Sequence, residues 1–564
     1  MAFCLPIALL PLCYPYSYPT KKEFKHLPAE MKLSIIKQLD GDTLTLSRVA
    51  ACNWELHNMA MPVLYAHVSL GAPPHYRIWP GLAWPADRRS VERFLLTILR
   101  NPRLARLVKS LDLSDLHDLC HAHRQCTNHP RRKQLVLEPL LPQDHRMVME
   151  AGMKLPLYST IKQSLCKALE PDIPRSDALL AVLLGYLPSL ERLEISMERD
   201  EAPREPGITD WSLVERVLIS IAGVRSMHNG EDDMATLAGV GLPTLSKLTH
   251  LKAEVEGDLP SADVDWLLVL LRIPTLTHVF GTKWTKTHDW LRPVPSISNH
   301  LVHLELRDCT FDDNILQRIL KQTTKLQTFI YERGWTKTKR FILKSSDLSQ
   351  ALQCISQTLT CLELSFNPSG RKIYEDLYLQ PLNLTGLSRL KNLRISAGYL
   401  VQTEKKMSSF EGRYWRLYDQ SGAYNSALPL HELLPKSLEQ LHVFQIHNGL
   451  EFILVCDKLC QTLHDREVPI VLWATRRFHH LREIKIEAPF EDKGCYLFAE
   501  LLLVTTDAGV KLTTIENSAD YVTSWITRTP RVSCADKKID WGFDGEIQWA
   551  HPYTRRGQVD YDLR

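Results

Sequence analysis

Apolar residues return along most of this chain in one short figure, apolar-x-x-apolar-x-apolar. It stands at Val108-x-x-Leu111-x-Leu113, Leu190-x-x-Leu193-x-Ile195, Leu301-x-x-Leu304-x-Leu306 and Leu326-x-x-Phe329-x-Tyr331. It returns at Leu359-x-x-Leu362-x-Leu364, Leu390-x-x-Leu393-x-Ile395, Leu438-x-x-Leu441-x-Val443 and Leu481-x-x-Ile484-x-Ile486. Partial copies begin at Leu248, Leu276 and Leu512. Two apolar residues spaced two apart face the same side of a strand, so each copy predicts a short strand with one buried face. Stretches of helical character lie between the copies: 176–187, 211–221, 265–271, 312–321 and 495–504. Strand and helix alternate, which predicts an α/β fold of parallel strands stacked unit on unit.

Residues between the apolar positions must point the other way, because side chains alternate across a strand. His303, Glu305, Arg307, Ile330, Glu363, Arg394, His442, Phe444 and Lys485 are therefore expected on a solvated sheet face. That face mixes both charges with apolar Ile330 and Phe444, which suits a protein ligand better than a polyanion. Removing an inward leucine (Leu304, Leu362) should be costly on this reading. Removing Glu305 or Glu363 should cost little.

The first organised segment, Phe24 to Leu70, has a different rhythm. Met31, Ile35 and Leu39 recur at i, i+4, with Leu33 and Ile36 widening the stripe, after Pro28 and Glu30 at a helix start. Asp40-Gly41-Asp42 ends that helix and offers Asp42 as the next cap; Asn53 can cap a third carrying Trp54, Leu56 and Met59. Three short helices make a meagre core and leave apolar surface for a partner.

These residues carry a resemblance. Leu27-Pro28-x-Glu30, Ile36-x-x-Leu39, Leu44-x-Leu46-Ser47-Arg48-Val49, Trp54 and Ala60-Met61-Pro62-x-Leu64-Tyr65 are similar to an F-box, in the form common among fungal proteins. Where many F-boxes carry a basic pair before the Trp, this chain has Ala50-Ala51-Cys52-Asn53. Leu301 to Cys309 (LxxLxLxxC) and Leu359 to Asn367 (LxxLxLxxN) likewise resemble the leucine-rich-repeat signature. The F-box resemblance implies a dock for a Skp-family adaptor, and through it a cullin–RING ubiquitin ligase. By the same resemblance Leu27, Pro28, Glu30, Leu33, Ile36, Leu39, Leu44, Leu46, Val49 and Trp54 would make the contacts. The implied role is a non-catalytic substrate receptor acting in the cytoplasm or nucleus; the alternative is a scaffold working outside a ligase.

The domain reading follows: a flexible leader at 1–22, the F-box at 23–70, a linker and first helix at 71–100, and an irregular leucine-rich solenoid at 101–527. Irregular loop insertions are expected near 117–157 and 399–437, and a cap or tail at 528–564. The leader is apolar, but its first cations, Lys21 and Lys22, follow the apolar stretch, unlike a secretory signal.

Composition changes little in this picture. The chain has 564 residues, 44% hydrophobic and 24% charged, which excludes global disorder. A formal charge of +3 gives no general case for nucleic acid or a membrane surface. Thirteen cysteines are too sparse for a disulfide scaffold. Phosphate-loop, dinucleotide, nucleophile-elbow and HExxH motifs are missing from the sequence, so no enzyme and no cofactor is expected. The one metal-like run, His117-x-x-Cys120-His121-x-His123-x-x-Cys126-x-x-His129, has zinc-type ligands at no common finger spacing and reads as a His-rich loop.

Overall fold

The structure is a computed structural model. It describes residues 27–70, 88–113, 140–170, 176–197, 245–255, 262–285, 300–334, 345–366, 381–401, 430–463, 478–488 and 496–516, less a few positions within them, and 214, 217 and 218. Two compact units divide at His67/Val68.

The first unit contains α1 (Ala29–Lys37), α2 (Thr43–Cys52) and α3 (Trp54–Leu64). Its helix punctuation follows the sequence. Gly41 takes a φ of +89°, a conformation that suits glycine, and so ends the first turn system. The Asp42 carboxylate accepts from the Thr45 N–H at 3.0 Å, and the Asn53 side chain from the Leu56 N–H at 2.8 Å.

The sheet opens with β1 (His67–Ser69). The segment read as linker and first helix contains α4 (Arg88–Arg100), followed by the short α5 (Pro102–Ala105) and β2 (Ser110–Leu113). Then come α6 (Pro142–Lys154), α7 (Ser159–Leu169), α8 (Ser176–Gly185), β3 (Arg192–Met197), β4 (His250–Val255) and β5 (Ala262–Asp263). Helix α6 corrects the expectation of an irregular 117–157 insertion. Pro142 stands at its first turn, and Val148, Ala151 and Gly152 are buried one helical turn apart.

β6 (His278–Thr282), β7 (Trp284–Thr285), β8 (His303–Cys309), α9 (Asp313–Gln322) and β9 (Thr328–Arg333) follow. Next are α10 (Ser345–Gln353), β10 (Cys361–Phe366), β11 (Asn392–Ser396) and β12 (Gln440–Phe444). α11 (Gly449–Leu463), β13 (Glu483–Ala488), α12 (Tyr496–Asp507) and β14 (Lys511–Glu516) complete the described chain. Of the helical stretches read from sequence, 211–221 lies mostly outside the described residues, as do the His/Cys run, residues 402–429 and the C-terminal segment.

Among the described residues twelve strands form one open sheet in the order β1-β2-β3-β4-β6-β8-β9-β10-β11-β12-β13-β14; β5 and β7 form a separate parallel pair. From β2 onward the pairings are parallel, and the order follows the chain without doubling back. A sheet wound from a central strand would reverse its order once; this one advances one strand per unit, as stacked repeats do. Ten of the eleven copies of the sequence figure are strands that begin two residues after the first apolar position; the partial copy at Leu512 is also a strand, but it begins at Lys511 and places Leu512 opposite Ile484, the second apolar position.

Register follows the same figure. Leu111, Leu193, Leu251, Val279, Leu304, Phe329, Leu362, Leu393, Leu441, Ile484 and Leu512 stand opposite one another on successive strands. Nearly all are fully buried, as are the leading Leu301, Leu326, Leu359, Leu390 and Leu438. Two local devices keep the ladder continuous where the backbone departs from it. β8 bulges between Leu306 and Cys309, and Gly334 comes so close to Asp308 that a Cβ would sit 2.4 Å from its carbonyl oxygen. Beyond β12, Gln445 accepts from the Phe366 N–H at 3.1 Å and donates to the Phe366 carbonyl at 2.7 Å, two strands away. No helix among the described residues is long and apolar enough to cross a membrane.

One expectation is overturned. Glu305 and Glu363 are 1% and 5% exposed, not solvated. Both are ion-paired, so truncating either takes one carboxylate away from a largely buried guanidinium and breaks the balance of charge around it. Leu304→Ala and Leu362→Ala are expected to destabilise by about 2–5 kcal/mol through the cavity each opens. Glu305→Ala and Glu363→Ala should cost a comparable amount, about 3–5 kcal/mol, by denaturant titration.

Candidate functional site

The sequence points to two surfaces, one on each unit. In the helical unit Ile36, Leu46, Leu56 and Ala60 form the core, with Leu39, Val49, Met59, Val63 and Leu64 packed against it. Lys32, nearly buried, bonds Glu55 at 2.9 Å and ties α1 to α3. Several large apolar side chains remain outside that core. Met31 and Ile35, one turn apart on α1, are 52% and 42% exposed; Leu44 at the start of α2 and Trp54 at the start of α3 are 61% and 75% exposed. The Trp54 ring stacks on His57 at 5.5 Å between centroids.

The ten residues assigned by resemblance thus separate. Pro28, Glu30, Leu44 and Trp54 are exposed, and Leu27, Leu33, Leu39 and Val49 are half-buried. Ile36 and Leu46 are not available to a partner: each is 1% exposed, because together with Leu56 and Ala60 they form the centre of the small three-helix core. Met31 and Ile35 take their place on the surface. The i, i+4 spacing that marked them as apolar stripe could not say which edge of the stripe faced inward.

On the sheet, the face opposite the leucine column holds a charged network at its centre. Arg307 Nε donates to Glu305, and its Nη1 lies 3.6 Å from both Glu332 and Glu363. Arg394 donates to Glu363 at 3.2 Å and to Glu487 at 3.5 Å, with its guanidinium 4.2 Å from the centre of the Phe444 ring. His442 meets Glu487 at 2.9 Å and His303 meets Glu305 at 3.6 Å. Burial opposes the charge on Arg307, but Glu305, Glu363 and Glu332 outweigh it and its proton is held more tightly than usual. Burial would raise the Glu305 carboxyl; Arg307 and His303 reverse that and bring it below the ordinary value.

Of the nine residues expected on a solvated face, His303, Glu305, Ile330, Glu363, Arg394, His442 and Phe444 are buried. Arg307 and Lys485 are half-buried, the latter 3.5 Å from Glu483. Alternation placed these side chains on the correct face. It could not show that neighbouring strands would supply each charge with a partner and leave little of it to water.

Towards the N-terminal strands the same face carries a stack of imidazoles. His250, His278 and His303 stand opposite one another on β4, β6 and β8, with centroids 4.3 and 5.7 Å apart and near-parallel rings. The Thr249 and Thr277 hydroxyls meet the Nδ1 atoms of His250 and His278 at 2.8 and 2.9 Å. Burial, then the neighbouring His278, Arg192 and His303, pushes His250 down to about 3; burial, His303 and Arg192 push His278 down to about 4.

Among the described residues no group of three or more His, Cys, Asp or Glu is placed to hold a metal ion. Cys456 and Cys460, one turn apart on α11, are buried thiols. No protein-family model matches the chain, and no curated protein matches it significantly.

The imidazole stack makes the sheet sensitive to acid. Both histidines are neutral when folded and protonate near 6.5 when unfolded, so their contribution is full above that pH and is lost as pH falls toward 4. The thermal midpoint should therefore drop between about pH 6.5 and pH 4. His278→Phe, which keeps a ring in the stack without a proton site, should flatten that drop in a pH series of melting curves.

Proposed function

We propose that this chain is a non-catalytic substrate-recognition subunit of a Skp–cullin–F-box ubiquitin ligase, working in the cytoplasm or nucleus. The observation that carries the reading is the outward set Met31, Ile35, Leu44 and Trp54 on a unit of three short helices. Half of the eight large apolar side chains exposed among the described residues lie between Met31 and Trp54, where a water-facing surface would be polar. A Trp and aliphatic anchors on short helices suit insertion into the apolar groove of a Skp-family adaptor. The F-box-like sequence of this unit points to the same partner.

The second unit supports the receptor half of the reading. A long open sheet of stacked repeats offers a broad surface to a protein substrate. Arg307 and Arg394 are better read as holding that sheet together than as substrate contacts, because each is committed to two or more carboxylates. Reversing their charge would test folding, not capture.

Met31→Ala with Trp54→Ala should weaken co-purification of the adaptor while leaving the melting curve of the sheet unit unchanged. Loss of central anchors typically costs about 2–4 kcal/mol, roughly a 30- to 1,000-fold fall in affinity. Ile36→Ala should also lose the adaptor, but with unfolding of the helical unit visible by circular dichroism. Undiminished adaptor recovery with the double variant would end the proposal.

A further inference from the structure

We propose that Glu332 is a proton-operated catch in the central sheet: neutral, it lets β8, β9 and β10 pack together, and ionised, it loosens them. The geometry singles it out. Glu305 accepts directly from Arg307, Glu363 from Arg394 at 3.2 Å, and Glu487 lies 2.9 Å from His442. Glu332 has one ion-pair contact among the described residues, Arg307 Nη1 at 3.6 Å, and Arg307 is already committed to Glu305.

The groups facing Glu332 are mostly of its own sign. From β8 it meets Glu305, Arg307 and Asp308; from β10 it meets Glu363, with Ser365 opposite it in register. It is 6% exposed, so water does little to screen a third carboxylate charge brought onto one guanidinium. Burial first, and then Asp308, Glu363 and Glu305, outweigh Arg307 and push the Glu332 carboxyl from 4.5 up to about 7. A carboxyl raised in the folded state contributes stability that is full below its unfolded value and is lost as pH rises through the folded one. Between about pH 6 and pH 8 such a group shifts the opening equilibrium roughly tenfold. The inference is independent of the adaptor reading, because it concerns the sheet unit alone.

Hydrogen exchange of the full chain tests it, with protection of the β8–β10 amides compared at pH 6 and pH 8 and the β13 and β14 amides as internal reference. The expected result is a roughly tenfold loss of protection at β8–β10 relative to the reference strands as pH rises. Glu332→Gln and Glu332→Met, which cannot ionise, should abolish that differential loss. A loss that persists in both variants would overturn the proposal, as would a wild-type chain with no such loss. If neither variant folds, the wild-type pattern decides: loss confined to β8–β10 supports the catch, and loss shared by all strands overturns it.

Discussion

Parallel pairing in a fixed register is the constraint on which the rest of this structure depends. Once Leu304 stands opposite Phe329, and Phe329 opposite Leu362, every other position of those strands is fixed in a column too. One set of columns is apolar and closes the core. The other brings Glu305, Ile330, Glu363, Arg394, His442 and Lys485 side by side, whatever their separation in sequence. Arg394 and Glu487 lie 93 residues apart in the chain and meet because register sets β11 and β13 on either side of the single strand β12.

Such columns have an energetic consequence. Strands about 4.8 Å apart put like charges within reach of each other unless the sequence alternates them or spaces them with neutral residues. Here Ile330 separates Glu305 from Glu363 in the middle column, and the guanidinia of Arg307 and Arg394 bridge from neighbouring positions. The imidazole stack solves the same problem differently, because neutral rings can lie face to face where cations could not. The centre of the face is thus a set of mutually dependent charges, whose members are worth more together than any one of them contributes alone.

Much of this fold was legible in the sequence, because the LxxLxL figure encodes both strand alternation and register. Eleven starts read from leucine spacing became eleven strands; the partial copies at Leu248 and Leu276 kept their frame, while Leu512 proved to be the second apolar position of its copy and not the first. Asp42 and Asn53 were legible as caps because capping is a local bond. Burial on the polar face was not legible, since it depends on pairing between repeats, as with Glu363 and Arg394. Helix α6 was hidden by its lack of a repeat and its flanking prolines and histidines. In the three-helix unit the apolar stripe was visible, but the assignment of Ile36 inward and Ile35 outward depends on how α1 is rotated against its neighbours, which spacing cannot fix.

Gln445 shows how the sheet tolerates very unequal connections. Its backbone sits in the left-handed region at a φ of 54°, and its amide takes both main-chain bonds of Phe366, so a side chain stands where a peptide group of β11 would continue. An ionised carboxylate could not do this, since one end must accept and the other donate. Loss of ammonia from that side chain with age would turn the donor into a second oxygen, 2.7 Å from the Phe366 carbonyl. A single covalent change of one atom's identity would then set two acceptors against each other just past the end of β11, and the extra tie between β10 and β12 would be lost while the β11 ladder remained.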